Sequence, residues 1–421
     1  MLGGLTTFIS MAYIVVVNPA ILEHAGIPRG PSTVATILAA VFGSLLMGLH
    51  ANRPIAVAPY MGENAFIAFG LAALGIGWQA RLGAVFLSGA VFLVITLLRV
   101  RTWLASSVST SLKHSFAVGI GLFLAFIGLL KSGIVVAGSP DAPVKIGNLH
   151  DGTAILAVCG FLIMTVLLCH RIRGAILIGI AVIAAAGYAL GKAPAPESIF
   201  ALPFTGEYSL GPIALQLDIP GILKPAMIPV LLTLFLMSFL DTLGTLSGLG
   251  AAGEMLDEKG AFPEVEKPML VDAVACMFSA LVGTSTSGAY IESATGIRDG
   301  ARTGLAAVTT AALFAACLFF LPLVEPLQSL GYAYGPALVA VGVLMMSSIR
   351  RIDFDDLTEL VPAFVTISLM VFTFNIANGV TAGLFLHPIL KVLGGRAREV
   401  SAGSVVLAAL CGAHYFFGLV H

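Results

Sequence analysis

Long apolar runs with short polar breaks dominate the chain. No Asp, Glu, Lys or Arg occurs between Met1 and Glu23, and the same holds over 30–52, 82–98, 114–130, 152–170, 174–191, 303–324 and 326–349. A helix needs about 20 predominantly apolar residues to cross a bilayer, so the pattern predicts a polytopic all-α membrane protein. It divides into fourteen segments: about 2–22, 32–50, 56–72, 81–98, 114–130, 152–170, 174–191, 226–250, 267–283, 286–297, 303–324, 332–349, 360–375 and 379–394. The last two are one run until it is split at the turn-like Asn375-Ile376-Ala377-Asn378-Gly379. A further apolar piece, 401–419, stands outside this set, and its placement (spanning, lying on the surface or packed on the bundle) is left open.

Composition narrows the class. Of 421 residues, 58% are apolar and 10% charged, with a mean hydropathy of +1.02. Soluble domains carry about 25% charge, so a cytosolic enzyme and a disordered scaffold are excluded, and a net charge of −1 offers no field for nucleic acid. The first apolar stretch lacks the basic start and cleavage site of a signal peptide. Cys159, Cys169, Cys276, Cys317 and Cys411 sit inside apolar stretches without CxxC or His-rich spacing, which fits small packing residues rather than disulfides or a metal site. With the N-terminus in the cytoplasm, fifteen cations (Arg53, Arg99, Arg101, Lys113, Arg171, Arg173, Lys259, Lys267, Arg298, Arg302, Arg350, Arg351, Lys391, Arg396, Arg398) lie inside. Six (Arg29, Arg81, Lys131, Lys145, Lys192, Lys224) lie outside. That bias predicts this orientation; a plasma (inner) membrane is the expected location.

Two segments break the pattern. Residues 54–72 and 283–297 each open on a Gly, Pro, Ser or Thr stretch too broken for a full helix, then carry an acid, a polar and a small residue: Glu63-Asn64-Ala65 and Glu292-Ser293-Ala294. One is the third segment and the other the tenth. Paired interrupted segments at matching places in two halves point to an inverted-repeat transporter. Irregular backbone at membrane depth survives only where protein or a cavity surrounds it, so both breaks belong at the centre of the bundle.

Four carboxylates fall inside segments: Glu63, Asp241, Asp272 and Glu292. Each costs about 2.5–3.5 kcal/mol at the bilayer centre. Asp241 is the only charged residue from Pro225 to Gly253, on a helical face with Ser238, Thr245 and Gly248. The competing reading of that face is close packing through Gly244 and Gly248. Glu292 follows the run Thr284-Ser285-Thr286-Ser287, and its competing role is to cap a neighbouring helix. Asn64 offers donor and acceptor, whereas Glu63 has Arg53 or water as alternative partners. Asp272, five residues past Lys267, reads as a solvated or structural acid. His50, His114, His170 and His387 read as interfacial or packing residues, and 254–267 as a solvated loop. There is no Walker A motif, and Ser285 has no His/Asp partners. No cofactor, metal or covalent enzyme chemistry is expected; an intramembrane enzyme or a receptor finds no support. A buried polar site with acids suits a small substrate rich in N–H donors, plus a proton.

At these motifs the chain resembles the nucleobase:cation symporter-2 family, and within it the AzgA-like adenine/guanine/hypoxanthine permease branch. The likeness rests on Gly4–Pro19, Ala51–Ala65, Asp241-Thr-Leu-Gly-Thr245, Gly283–Gly296 and Arg302-Thr-Gly-Leu305. It implies two inverted repeats of seven segments, with short strands plus half-helices in the third and tenth. A core domain would hold 1–100 and 222–326, a gate domain 101–195 and 327–396, with 397–421 as a C-terminal piece. It implies a secondary active importer of purine bases by proton symport with alternating access. Asp241, Glu292 and Asn64 would hold the base, with Glu63, Ala65 and Ser293 in the same substrate-binding set, and Asp241, then Glu292, would carry the proton. A homodimer is a further expectation. Tyr60 stands where the branch commonly has Gly, and Glu63 where it commonly has an apolar residue. A Glu63 facing the site would favour bases with an exocyclic amine over xanthine. A uracil or xanthine permease is the runner-up. A sulfate- or bicarbonate-type anion carrier of the same architecture would want cations, where this chain has acids.

Overall fold

The computed structural model describes residues 1–98, 103, 107–139, 141–196, 198–224, 227–256 and 262–417. Arg99, Arg101, Lys259, the middle of the 254–267 loop and the end of the 401–419 piece lie outside them. Among the described residues eight helices are long and apolar enough to cross a membrane, or nine if the bent pair Leu305–Cys317 and Leu321–Gln328 is one span. Shorter apolar helices cover Ala175–Ala189, Leu357–Phe372 and Ala402–Gly412. The chain is a mainly helical, multi-pass membrane protein.

In chain order the elements used below are α1 (Leu2–Met11), α2 (Ile14–Leu22), α3 (Arg29–Leu49), β1 (Val57–Pro59), α4 (Met61–Ala65), α5 (Trp78–Leu97) and α6 (Thr110–Lys131). There follow β2 (Val135–Ser139), β3 (Ala142–Ile146), α7 (Gly152–Cys169), α8 (Ala175–Ala189), α9 (Ile228–Ala252), α10 (Glu266–Val282), β4 (Ser287–Ala289) and α11 (Ser293–Arg298). The last are α12 (Leu305–Cys317), α13 (Leu321–Gln328), α14 (Gly331–Met345), α15 (Leu357–Phe372), α16 (Ile376–Leu393) and α17 (Ala402–Phe417). Helices α1, α3, α5, α9, α10 and α12 pack on one another around β1 and β4; α6, α7, α8, α14, α15 and α16 pack among themselves.

Several expectations change. The 303–324 segment is not one helix: it breaks after Cys317 and turns by 83° into α13. Pro322 in the first turn of α13 lacks the N–H that a continuing helix would need. The split of 360–390 is real but falls earlier, at Thr373–Asn375, because the Asn375 side chain accepts the Ala377 N–H and starts α16. The 401–419 piece packs on the bundle: α17 lies against α16 and α9, with Leu407 and Cys411 buried. Between α6 and α7, β2 and β3 form an exposed hairpin that no apolar pattern announced. Of the cysteines only Cys276 and Cys411 are fully buried, and Cys159 and Cys169 are exposed.

His387 is not simply packing. It meets Glu359, which with Asp356 and Glu399 surrounds the buried Lys391 amine. The Thr358 hydroxyl, with Lys391 and Arg396, holds the Asp356 carboxyl well below the usual carboxylate range.

Candidate functional site

The site is built where the two broken segments meet. β1 and β4 pair antiparallel, with Ala58 opposite Gly288. The backbone groups on the outer edges of this short ribbon have no third strand, and at membrane depth no water replaces one. Side chains do. The Ser44 hydroxyl accepts the Val57 N–H at 2.9 Å and donates to the Val57 carbonyl at 3.0 Å. On the other edge an Asp272 oxygen accepts the Ala289 N–H at 2.9 Å, and Ser279 donates to Ser287. Gly283, at φ 95°, makes the left-handed turn that leads from α10 toward β4.

The pairing has a local two-fold. The Tyr60 N–H donates to the Thr286 carbonyl and the Tyr290 N–H to that of Ala56, both at 2.9 Å. The two rings lie within 9° of parallel. In this register Glu292 matches Gly62, Ser293 matches Glu63, and Ala294 matches Asn64. The sequence had set Glu63 against Glu292, one residue out. On a helix one residue is about 100°, so the two acids point differently.

Asp241 and Glu292 come together. Asp241 is exposed on α9, and Glu292, half-buried, stands at the start of α11, which packs on α9. The Tyr13 hydroxyl of the α1–α2 junction donates to Glu292 at 2.8 Å. The face of α9 running on from Asp241 through Gly244, Ser247 and Gly248 is exposed as well. A Cβ on Gly244 would meet nothing within 4 Å, and one on Gly248 only the tip of Ile291 at 3.4 Å. Among the described residues, then, no neighbouring helix of the chain closes on these small residues, and the close-packing reading finds no partner within the chain. Ser238 and Thr245 of the expected face turn inward and are buried.

The remaining expected site residues lie inside the protein. Glu63 is buried, taking hydroxyls from Ser238 at 2.9 Å and from Thr286, both on one oxygen. Asn64 and Ala65 are fully buried. Asn64 donates to Asn18 at 2.8 Å, and Asn18 in turn donates to Thr36 and Thr284 and accepts from Ser285. Ser293 accepts the Ala56 N–H at 3.0 Å. Asp272 is not solvated; besides Ala289 it accepts from Thr242 at 2.8 Å, and Thr242 also meets the Tyr60 hydroxyl at 3.0 Å. Tyr13 and Asn18 escaped sequence reasoning. The signal for Asn18 was an amide inside an apolar run; Tyr13 left none, since buried tyrosines are ordinary. A separate cavity of about 420 Å³, lined by Arg29, Glu207, Tyr208 and Glu325, holds none of these groups.

Two interrupted segments crossing inside a helical bundle, with an exposed and a half-buried acid beside them, define a membrane transporter of the discontinuous-helix class. The chain belongs to the Xan_ur_permease family, described as a permease family, whose model matches residues 1–381. It is 45% identical to the putative permease MJ0326 of Methanocaldococcus jannaschii, over 97% of this chain and 92% of that one. It is 38% identical to the adenine permease AdeP of Escherichia coli, over 97% and 90% of the two chains. It is also 38% identical to the guanine/hypoxanthine permease PbuO of Bacillus subtilis, over 97% and 95%. In fold it is similar to the transmembrane domain of the cyanobacterial bicarbonate transporter BicA, with a TM-score of 0.64 at 15% identity, covering 90% of this chain and 95% of that one.

Proposed function

We propose that this protein is a non-enzymatic secondary transporter that imports purine bases (adenine, guanine, hypoxanthine) by proton symport with alternating access. The observation that carries the reading is the pair of acids beside the crossing, Asp241 exposed on α9 and Glu292 half-buried at the start of the packed α11. Guanine and hypoxanthine present adjacent N–H groups, and a carboxylate accepts two at once. The full-length likeness to adenine and guanine/hypoxanthine permeases supports the same substrate class. Asp241 is the first choice for the coupling proton and Glu292 the second. Asn64, Ala65 and Ser293 form the wall behind the base, and Glu63, turned to Ser238 and Thr286 instead, stands clear of it. Fourteen segments in two inverted repeats, a core and a gate domain at the bounds given above, an inner-membrane location with the N-terminus inside, and a homodimer complete the proposal.

The bicarbonate-type reading draws only on fold. An anion site needs a free cation at depth, whereas the buried Arg81 is engaged by the carbonyls of Ile67, Ala68 and Ile76. The test is radiolabelled hypoxanthine uptake in cells lacking base permeases. Excess adenine, guanine or hypoxanthine should block it, uracil and xanthine weakly, sulfate not at all. Uptake should rise as the external pH is lowered and collapse with a protonophore. Best competition by uracil would overturn the purine assignment; competition by sulfate and by no base would overturn the function.

A further inference from the structure

Glu63 presents a problem of charge. It is 2% exposed, and no Lys, Arg or His forms an ion pair with it among the described residues. The titratable groups that act on it are Asp241 from α9, Asp272 and Cys276 from α10, Tyr60 from its own segment and Tyr290 beyond β4; none is a cation. A buried charge without a counter-charge is expensive.

The surroundings are also short of donors. Among the described residues Oε1 of Glu63 has no partner, nor has Oδ1 of its neighbour Asn64, nor Oδ1 of Asp272, although all three atoms are buried. Both hydroxyls that reach Glu63 go to its other oxygen. Across the local two-fold the same place is filled by Ser293, a neutral group. The position is thus one where the fold accepts a neutral side chain, and a proton on Glu63 supplies both the missing charge and a missing donor. A metal ion fits poorly: no group of three His, Cys, Asp or Glu able to hold one occurs among the described residues.

Resting on the transporter reading above, we propose that Glu63 binds a proton that moves with each transport cycle, at a site distinct from the Asp241–Glu292 pair. The carboxylate takes one proton from water on the entry side, crosses as a neutral carboxyl and returns that proton to water on the other side. No covalent bond in the base changes.

The experiment uses the full chain in proteoliposomes with labelled hypoxanthine. Glu63→Gln, and Glu63→Ser which copies the second crossing, should both keep base counterflow, which needs no net proton movement. Their accumulation against an imposed pH gradient should fall by about tenfold per pH unit, the worth of one coupled proton. Infrared difference spectra of the parent should show a protonated-carboxyl stretch that Glu63→Gln removes. Unchanged accumulation in both variants, a band that persists in Glu63→Gln, or accumulation that follows a sodium gradient at fixed pH would each overturn the proposal. Absence of counterflow in the parent would instead strike the transporter reading, and the infrared band would still decide proton binding at Glu63.

Discussion

The two crossings share a backbone plan and differ in where the acid sits. In the second, Glu292 lies just before the half-helix, half-buried, with the Tyr13 hydroxyl donating to it. In the first, the matching residue is Gly62, whose Cβ would sit 2.4 Å from Ile120 of α6. The acid comes one residue later and turns into the protein. One position of offset separates a half-buried group from a buried group held by two hydroxyls. The lesson is that an acid motif repeated in two halves need not be a repeated function; the strand register decides which side chain stays accessible.

The heaviest blow to both crossings falls on the residue that joins them. Asn18 bonds Asn64 of the first and Thr284 and Ser285 ahead of the second. Asn18→Leu leaves several buried groups unpaired at about 1–3 kcal/mol each. The variant should lose folded protein in detergent outright. A melting temperature equal to the parent's would mean the two crossings are held independently.

Next in size is the contrast between the open and the sealed acid. A hydrogen bond from the base to a charged carboxylate is worth about 1.5–3 kcal/mol, or about 10- to 150-fold. Asp241→Asn and Glu292→Gln should therefore cut uptake and counterflow by that factor at normal membrane abundance, whereas Glu63→Gln spares counterflow. Near-normal uptake by both site variants would remove them from the base site, and equal loss in all three would erase the difference between the crossings.

A smaller effect tests the shape at Gly62. Gly62→Ala should destabilise by about 1–3 kcal/mol, since the neighbour to be displaced is a side chain. Removing the clashing Cγ2 methyl with Ile120→Ala should restore the melting temperature, whereas Ile120→Val, which keeps that methyl, should not. Failure of Ile120→Ala to rescue would show that the first crossing excludes side chains for another reason.

Much of this was legible in the sequence, and the limits are instructive. The membrane segments follow from runs without charge, and the two breaks from Gly, Pro, Ser and Thr inside apolar stretches. Asp241 stood out because no other charge shares its helix. What could not be read is long-range. The pairing of Ala58 with Gly288 joins residues far apart in the chain, and no local pattern fixes it to one residue. The roles of Tyr13, Asn18 and Asp272 depend on partners from other helices. The GxxxG on α9 misled because spacing gives a face but not what stands opposite it.

The smallest effect compares the two edges of the ribbon. On the β1 side one hydroxyl, Ser44, serves both the N–H and the carbonyl of Val57, so Ser44→Ala strands two buried backbone groups at about 1–3 kcal/mol each. On the β4 side the load is divided. Asp272 carries the backbone N–H of Ala289, and the Ser279 hydroxyl meets the hydroxyl of Ser287 and the carbonyl of Ala275 on its own helix, not the strand backbone. Ser279→Ala removes only neutral hydrogen bonds, each worth about 0.5–1.5 kcal/mol, and leaves the strand backbone satisfied. Thermal unfolding of the two variants in the same detergent should therefore rank Ser44→Ala well below Ser279→Ala. Equal shifts would mean that Ser279 supports the second crossing as Ser44 supports the first, and that the carboxylate of Asp272 is not what holds the β4 edge in place.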